Sequence, residues 1–548
     1  MYHKIKIFLL FITLSLLACR ENVQVDLIVR NGTIYTVNDM FEVVQAMAIK
    51  DGKIVAIGPE NEILNKYYAI EVIDAEKKAI YPGFIDAHCH FVGYAKNLLE
   101  VNLIGSNSFE EVIERLREFV AKNETPKGSW IIGRGWNENF WQDKKMPTKE
   151  KLDELFPDNP VFLSRVDGHA ALVNQKAMDL TGITTNTKIE GGRIEAINGK
   201  LTGLLIDNAK MHVQNQLPEY TNAQIAKALL TAEKHLFEVG LTTVDDAGLE
   251  QYDIELIDEL QQANKLHIKV YAMVSATPEL LDYYLEKGTY KTSKLNVASF
   301  KFYADGSLGS ESACLLDDYH TTKHNKGLIL HELEFYEKYA PLLAEKGFQM
   351  NTHAIGDSAT RMMLKVYEQA LTTTNDKRWR IEHAQVVHPE DLEKFRKLTI
   401  IPSVQPTHAM SDMEWAAEKL GDDRMKTAYA YKDLLNQLGM IALGTDFPVE
   451  DINPLYTFYS ATIRKNLEGK PEQGLMMENA LSREEALKGM TIWAAIANFE
   501  EEEKGSLEVG KSADFIITNR DIMKVDEQEL LKTKVEKTFV DGKMVFGN

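Results

Sequence analysis

A chain of 548 residues, 44% hydrophobic and free of low-complexity segments and internal repeats, is long enough for one large core with appendages. Its formal net charge of −20 gives an acidic surface, which argues against nucleic acid as a partner. With three cysteines, a pairing of Cys89 with Cys314 is open, but a chain of this size does not require it.

The chain begins with Lys4 and Lys6, an apolar run from Ile7 to Leu17, and Leu16-Leu17-Ala18-Cys19. A basic start, a short apolar core and a small residue before a cut describe a secretory signal, and the run is short for a bilayer span. Leu-Leu-Ala-Cys resembles the bacterial lipobox, so the expectation is a leader over 1–18, lipid on Cys19 and a tether over 19–24. The protein would then be exported and held at the cell envelope, touching membrane only through that anchor. The plainer alternative is a cleaved leader with an incidental cysteine.

Residues 25–80 predict short strands punctuated by the turn pairs Asn31-Gly32 and Asp51-Gly52. Residues 501–548 have the same texture around Asp541-Gly542. Two β-rich ends predict one small β-sandwich built from both termini. The middle, 81–500, alternates apolar strands with helical stretches, the signature of parallel βα units. Strands are expected at 84–90, 242–247, 269–275, 299–305, 348–354, 379–384, 400–405 and 441–446, which suggests an α/β fold, a closed TIM-type (β/α)8 barrel. About 150 residues separate the first two strands, too many for a simple crossover, so 106–240 is read as an inserted lid region. Beyond the last strand, Ser482-Arg483-Glu484-Glu485 has the form of a capping box and should open a helix.

The chemistry lies at the strand ends. Side chains alternate along a strand, so His88 and His90 share one face and Cys89 takes the other, packed outward under a helix. Imidazoles at this spacing suit zinc or a similar divalent metal, although His-x-His alone is a weak signal. Lys301, His353, His383 and Asp446 each fall near the C-terminal end of a later strand, the face where barrel active sites form. A protonated lysine cannot coordinate a cation, but a neutral amine can take up carbon dioxide as a bridging carbamate. Desolvation and nearby positive charge favour that neutral amine. The alternative for Lys301 is a salt bridge to Asp305 on the same strand face.

These residues resemble the ligand set of the amidohydrolase superfamily. Pro82-Gly83-Phe84-Ile85-Asp86 and the stretch from Gly505 to Asp514 also match it. Gly135-Trp136-Asn137, Asp167-Gly168-His169-Ala170, Tyr303 to Gly309, His353 to Asp357 and Gln405-Pro406-Thr407-His408 are similar to its YtcJ-like branch, amidohydrolase family 3, which includes N-substituted formamide deformylase. The similarity runs from residue 25 to the end.

The resemblance implies two divalent ions, zinc first among the candidates. One would be held by His88, His90 and Asp446, the other by His353 and His383, with carboxylated Lys301 between them. A metal-bound hydroxide would attack the carbonyl of a small-molecule amide, and Asp446 would carry the proton to the leaving nitrogen. His408 is a candidate for stabilising the oxyanion or gripping substrate, or equally for a structural histidine hydrogen-bonded to a loop. Trp136, Arg165 and His169 are candidates for lining or closing the pocket, with plain packing an equal alternative for Trp136; Asp305 is a candidate for supporting a ligand or for a substrate contact, and Asp86 for supporting a ligand. Related barrels often pair, so a homodimer is compatible. Two competing readings stay open: the same barrel acting on an ester, phosphoester or cyclic ureide, and a surface-tethered binding protein without catalysis.

Overall fold

The computed structural model describes residues 22–138, 141–165, 170–189, 192–371 and 375–547. The expected leader, Cys19 and His169 lie outside them. Eight strands, Phe84–Cys89, Leu241–Leu249, Lys269–Ser275, Leu295–Tyr303, Gln349–Ala354, Arg380–His383, Ile401–Val404 and Ala442–Leu443, pair in this order, each parallel to the next. Each lies where the sequence predicts a strand. They are buried almost throughout, which is why they read as continuous apolar runs rather than alternating ones. Helices such as Asp357–Ala370 and Pro389–Leu398 connect them.

No ladder joins the last strand to the first among the described residues, yet two backbone bonds close the seam. The Asp446 N–H donates to the His88 carbonyl and the His90 N–H to the Phe447 carbonyl, each at 2.8 Å. Gly444 makes the approach sterically feasible, since a Cβ there would stand 2.6 Å from the His88 nitrogen and 2.9 Å from Asp86 Oδ1. Asp86 fastens the same seam. Its carboxylate accepts the Thr445 N–H at 3.0 Å, the Thr445 hydroxyl at 2.7 Å and the His88 N–H at 3.2 Å.

The two chain ends build two further sheets. Lys53–Gly58, Ala46–Lys50, Val23–Arg30 and Tyr67–Asp74 form one. In the other, Phe515–Thr518 and Val535–Val540 lie beside Ala79–Pro82 and Thr33–Tyr35. Leu27, Val29, Met47, Ile80, Phe515 and Phe539 share one core between them. Both Asp-Gly turns bend through paired left-handed residues, Asp51 and Gly52 at φ +50° and +76°, Asp541 and Gly542 at +48° and +70°. Buried Lys269, opening the third barrel strand, reaches Asp514 at 2.6 Å and Asp541 at 2.8 Å and ties the barrel to this β region. Ser482 and Glu485 form the expected capping box.

Residues 92–232 make a separate compact unit. Its six-stranded sheet packs one face on Leu116, Trp136, Ile131 and Leu163 and the other on Phe162, Met178, Leu205 and Val213. Val101–Asn102 is an edge strand of this sheet.

Candidate metal centre

Strand ends from around the barrel converge on one cluster. His88 and His90 leave the first strand with ring centroids 5.7 Å apart. His90 donates from Nδ1 to the Ala247 carbonyl at 2.8 Å, which leaves the Nε2 electron pair directed at Asp446 Oδ1, 3.1 Å away. His88 Nε2 lies 3.5 Å from the same oxygen. His383 completes a group with His88 and Asp446 whose ligand atoms all fall within 4.8 Å of one another, a geometry able to hold a metal ion. This trio takes residues from both of the ligand sets that the resemblance implies.

His353, on the fifth strand, lies edge-on to His383 at 4.5 Å between centroids and donates from Nε2 to the Gly306 carbonyl at 3.1 Å. Lys301, fully buried, places Nζ 2.9 Å from His88 Nε2. It does not pair with Asp305. His408, at the start of helix Pro406–Asp412, stands with Nε2 3.5 Å from Asp446 Oδ2. The Gln385 amide approaches its Nδ1 at 3.2 Å.

Electrostatics keep these groups in ligand form. Burial, helped by Lys301, holds His88 well below the ordinary imidazole value and brings His353 down to about 4. Burial and the neighbouring His353 and His88 do the same to His383. Burial also lowers Lys301, against the pull of Glu382 and Asp446. His383 Nδ1 and Asp446 Oδ1 are buried without a hydrogen-bond partner among the described residues, as is the Asn351 amide. Buried polar atoms need partners, and a nitrogen-and-oxygen donor set around neutral imidazoles fits a divalent cation such as zinc.

Backbone strain aims two of these side chains. His383 and Asp446 adopt φ +72° and +63°, a left-handed conformation rare for non-glycine residues. Strict alternation would put Glu382 and His383 on opposite faces of their strand. The left-handed turn instead brings both to the cluster, and Glu382, which the sequence reading missed, accepts from His88 Nδ1 at 2.6 Å. Its one sequence signal is an acid directly before a strand-end histidine.

Other candidates are placed differently. Asp305 is not free to contact substrate. Its carboxylate accepts the backbone N–H groups of Ile355 at 3.0 Å and of Gly356 and Cys314 at 2.8 Å, fastening the loop after the fourth strand. Burial pushes it up to about 7 against those donors. Trp136 is packing rather than pocket lining: it is 1% exposed in the core of its unit, and its indole donates to the Leu163 carbonyl at 2.8 Å. Arg165 grips Glu138 through two bonds of 2.8 and 2.9 Å. Cys89 is buried with Sγ 3.5 Å from the Asp245 carbonyl, and it and Cys314 are free thiols.

Comparison with known proteins places this architecture. The protein LONG AFTER FAR-RED 3 of Arabidopsis thaliana is 34% identical over 97% of this chain and 94% of its own length. N-substituted formamide deformylase of Arthrobacter pascens is 26% identical over 94% of this chain and 97% of its own. A solved structure described as an uncharacterized metal-dependent hydrolase of Pyrococcus horikoshii superposes with a TM-score of 0.76 at 28% identity, covering 92% of this chain and 99% of that one. The amidohydrolase family profile matches residues 71–546, and by that match over most of its length the chain belongs to the amidohydrolase family.

Proposed function

We propose that the protein is a metal-dependent hydrolase that cleaves a non-peptide C–N bond, with an amide or an N-formyl or N-acyl amine as substrate. The observation that carries this reading is the convergence of buried His88, His383 and Asp446 at the C-terminal mouth of the barrel. Similarity to the Arthrobacter deformylase supports the choice of bond. His88, His90, His353, His383 and Asp446 would hold two divalent ions, with Lys301 as a carbamate between them. When bound, such ions polarise a carbonyl and make water acidic enough to act as a nucleophile near neutral pH.

The chain's own groups divide the remaining work. Asp446, which faces His88, His90 and His408, is the base that takes the proton of the attacking water and returns it to the leaving nitrogen. His408 accepts from Gln385 at Nδ1 and so carries its proton on Nε2, beside Asp446, where it can donate to a developing oxyanion. Purified protein should retain divalent metal and release amine from a panel of N-formyl and N-acyl amines. Chelation should remove both metal and turnover. Asp446→Asn should lower kcat by roughly 10²- to 10⁴-fold even when saturated with divalent metal. Undiminished turnover in a chelated sample, or in that variant, overturns the reading.

A further inference from the structure

We propose that Glu382 is a positioning residue that fixes the ring of His88 and sets the affinity of the cluster for a divalent cation. The inference rests on the metal-hydrolase reading and adds to it a determinant outside the ligand set. Glu382 and His88 are both fully buried, and Glu382 Oε2 lies 2.6 Å from His88 Nδ1. A carboxylate accepts only, so Nδ1 carries the proton and Nε2 keeps its electron pair. Lys301 approaches that Nε2 at 2.9 Å as a donor, which is consistent with the same tautomer.

What sets His88 apart is the charge of the group behind it. His90 is held by the neutral carbonyl of Ala247 and His353 by that of Gly306, with the Asp305 carboxylate beyond hydrogen-bond distance of His353 Nε2 at 3.6 Å. His88 is held by an acid. Glu382 is not committed elsewhere in a close ion pair among the described residues. The nearest guanidinium, Arg380, is 4.0 Å away and is engaged by Asp245 at 2.9 Å, by the Ala87 carbonyl at 3.2 Å and by Asn498. Glu382 Oε1 has no hydrogen-bond partner among those residues. An anionic acceptor behind an imidazole fixes its orientation and raises its basicity toward a cation, and loss of such a support costs 10- to 100-fold in metal affinity.

The test uses the full chain as wild type, Glu382→Gln and Glu382→Leu. Zn2+ affinity is read by competition with a chromophoric chelator, and the visible spectrum of the Co2+-loaded protein reports ligand geometry. The expected result is a loss of about 10-fold for Glu382→Gln and about 100-fold for Glu382→Leu, with an altered Co2+ spectrum. Glu382→Gln is isosteric, so it decides the matter if the leucine variant fails to fold. A glutamine variant with wild-type Zn2+ affinity and an unchanged Co2+ spectrum overturns the proposal, even if its metal-free stability falls. A wild-type chain that takes up neither ion overturns the underlying hydrolase reading as well.

Discussion

Protonating an imidazole inside the cluster places a charge where burial offers it no water. For His353 this brings the value from about 6.5 in an unfolded chain to about 4. Between those values the unfolded chain binds more protons than the folded one. The neutral His353 therefore contributes stability that is complete above about pH 6.5 and lost as pH falls toward 4. The shift is worth about 3 kcal/mol at most. Asp86, Asp245 and Asp305, each raised to about 7 chiefly by burial, work in the opposite sense, so the histidine effect must be isolated by comparison. In chelator-treated protein, the stability difference between wild type and His353→Gln, from denaturant melts at pH 7 and pH 4.5, should move toward the variant by about 2 kcal/mol. A difference independent of pH would mean that His353 is not buried as a neutral ring. At this scale the strand-end residues of the cluster were legible, because a period of two and a polar residue at the end of an apolar run are both visible in sequence. Glu382 was not, because the left-handed backbone at His383 breaks the alternation on which that reading depends.

Among the elements, the eighth strand is the shortest of the barrel, Ala442–Leu443, and depends on the residues just beyond its C-terminal end. Gly444 has no room for a side chain against the His88 backbone, and Thr445 is tied to Asp86. Gly444→Ala should therefore cost about 1–3 kcal/mol by overpacking and weaken metal binding with it, since His88 and Asp446 meet across that contact. Ser482→Ala removes only a helix cap and should cost about 1 kcal/mol with metal affinity unchanged. Thermal melts and metal titration of the two variants separate a seam effect from general destabilisation. Strand positions were readable along the whole barrel because buried parallel strands are short unbroken apolar runs. The role of Trp136 was not, because a tryptophan in a glycine-bounded motif reads the same whether it faces a ligand or, as here, a core.

Over the whole molecule, the two chain ends meet in one sheet, and Lys269 links the barrel to it through two acids. Lys269 is fully buried, so Lys269→Met leaves Asp514 and Asp541 without their cation and should cost about 3–5 kcal/mol, measured as a fall in the denaturation midpoint. A loss below about 1 kcal/mol would show that the acids find other partners. The pairing of the termini could be anticipated from their shared turn pairs.

The seam has a further consequence. The residues it joins by backbone, His88 with Asp446 and His90 with Phe447, include three whose side chains face the cluster, His88, His90 and Asp446. A cation shared by His88 and Asp446 would act as a crosslink between positions more than three hundred residues apart in the chain, reducing the loop entropy of the open barrel. Occupancy of the centre and closure of the cylinder would then be one equilibrium, so an ion too weakly held for turnover would also leave the first and last strands free to part.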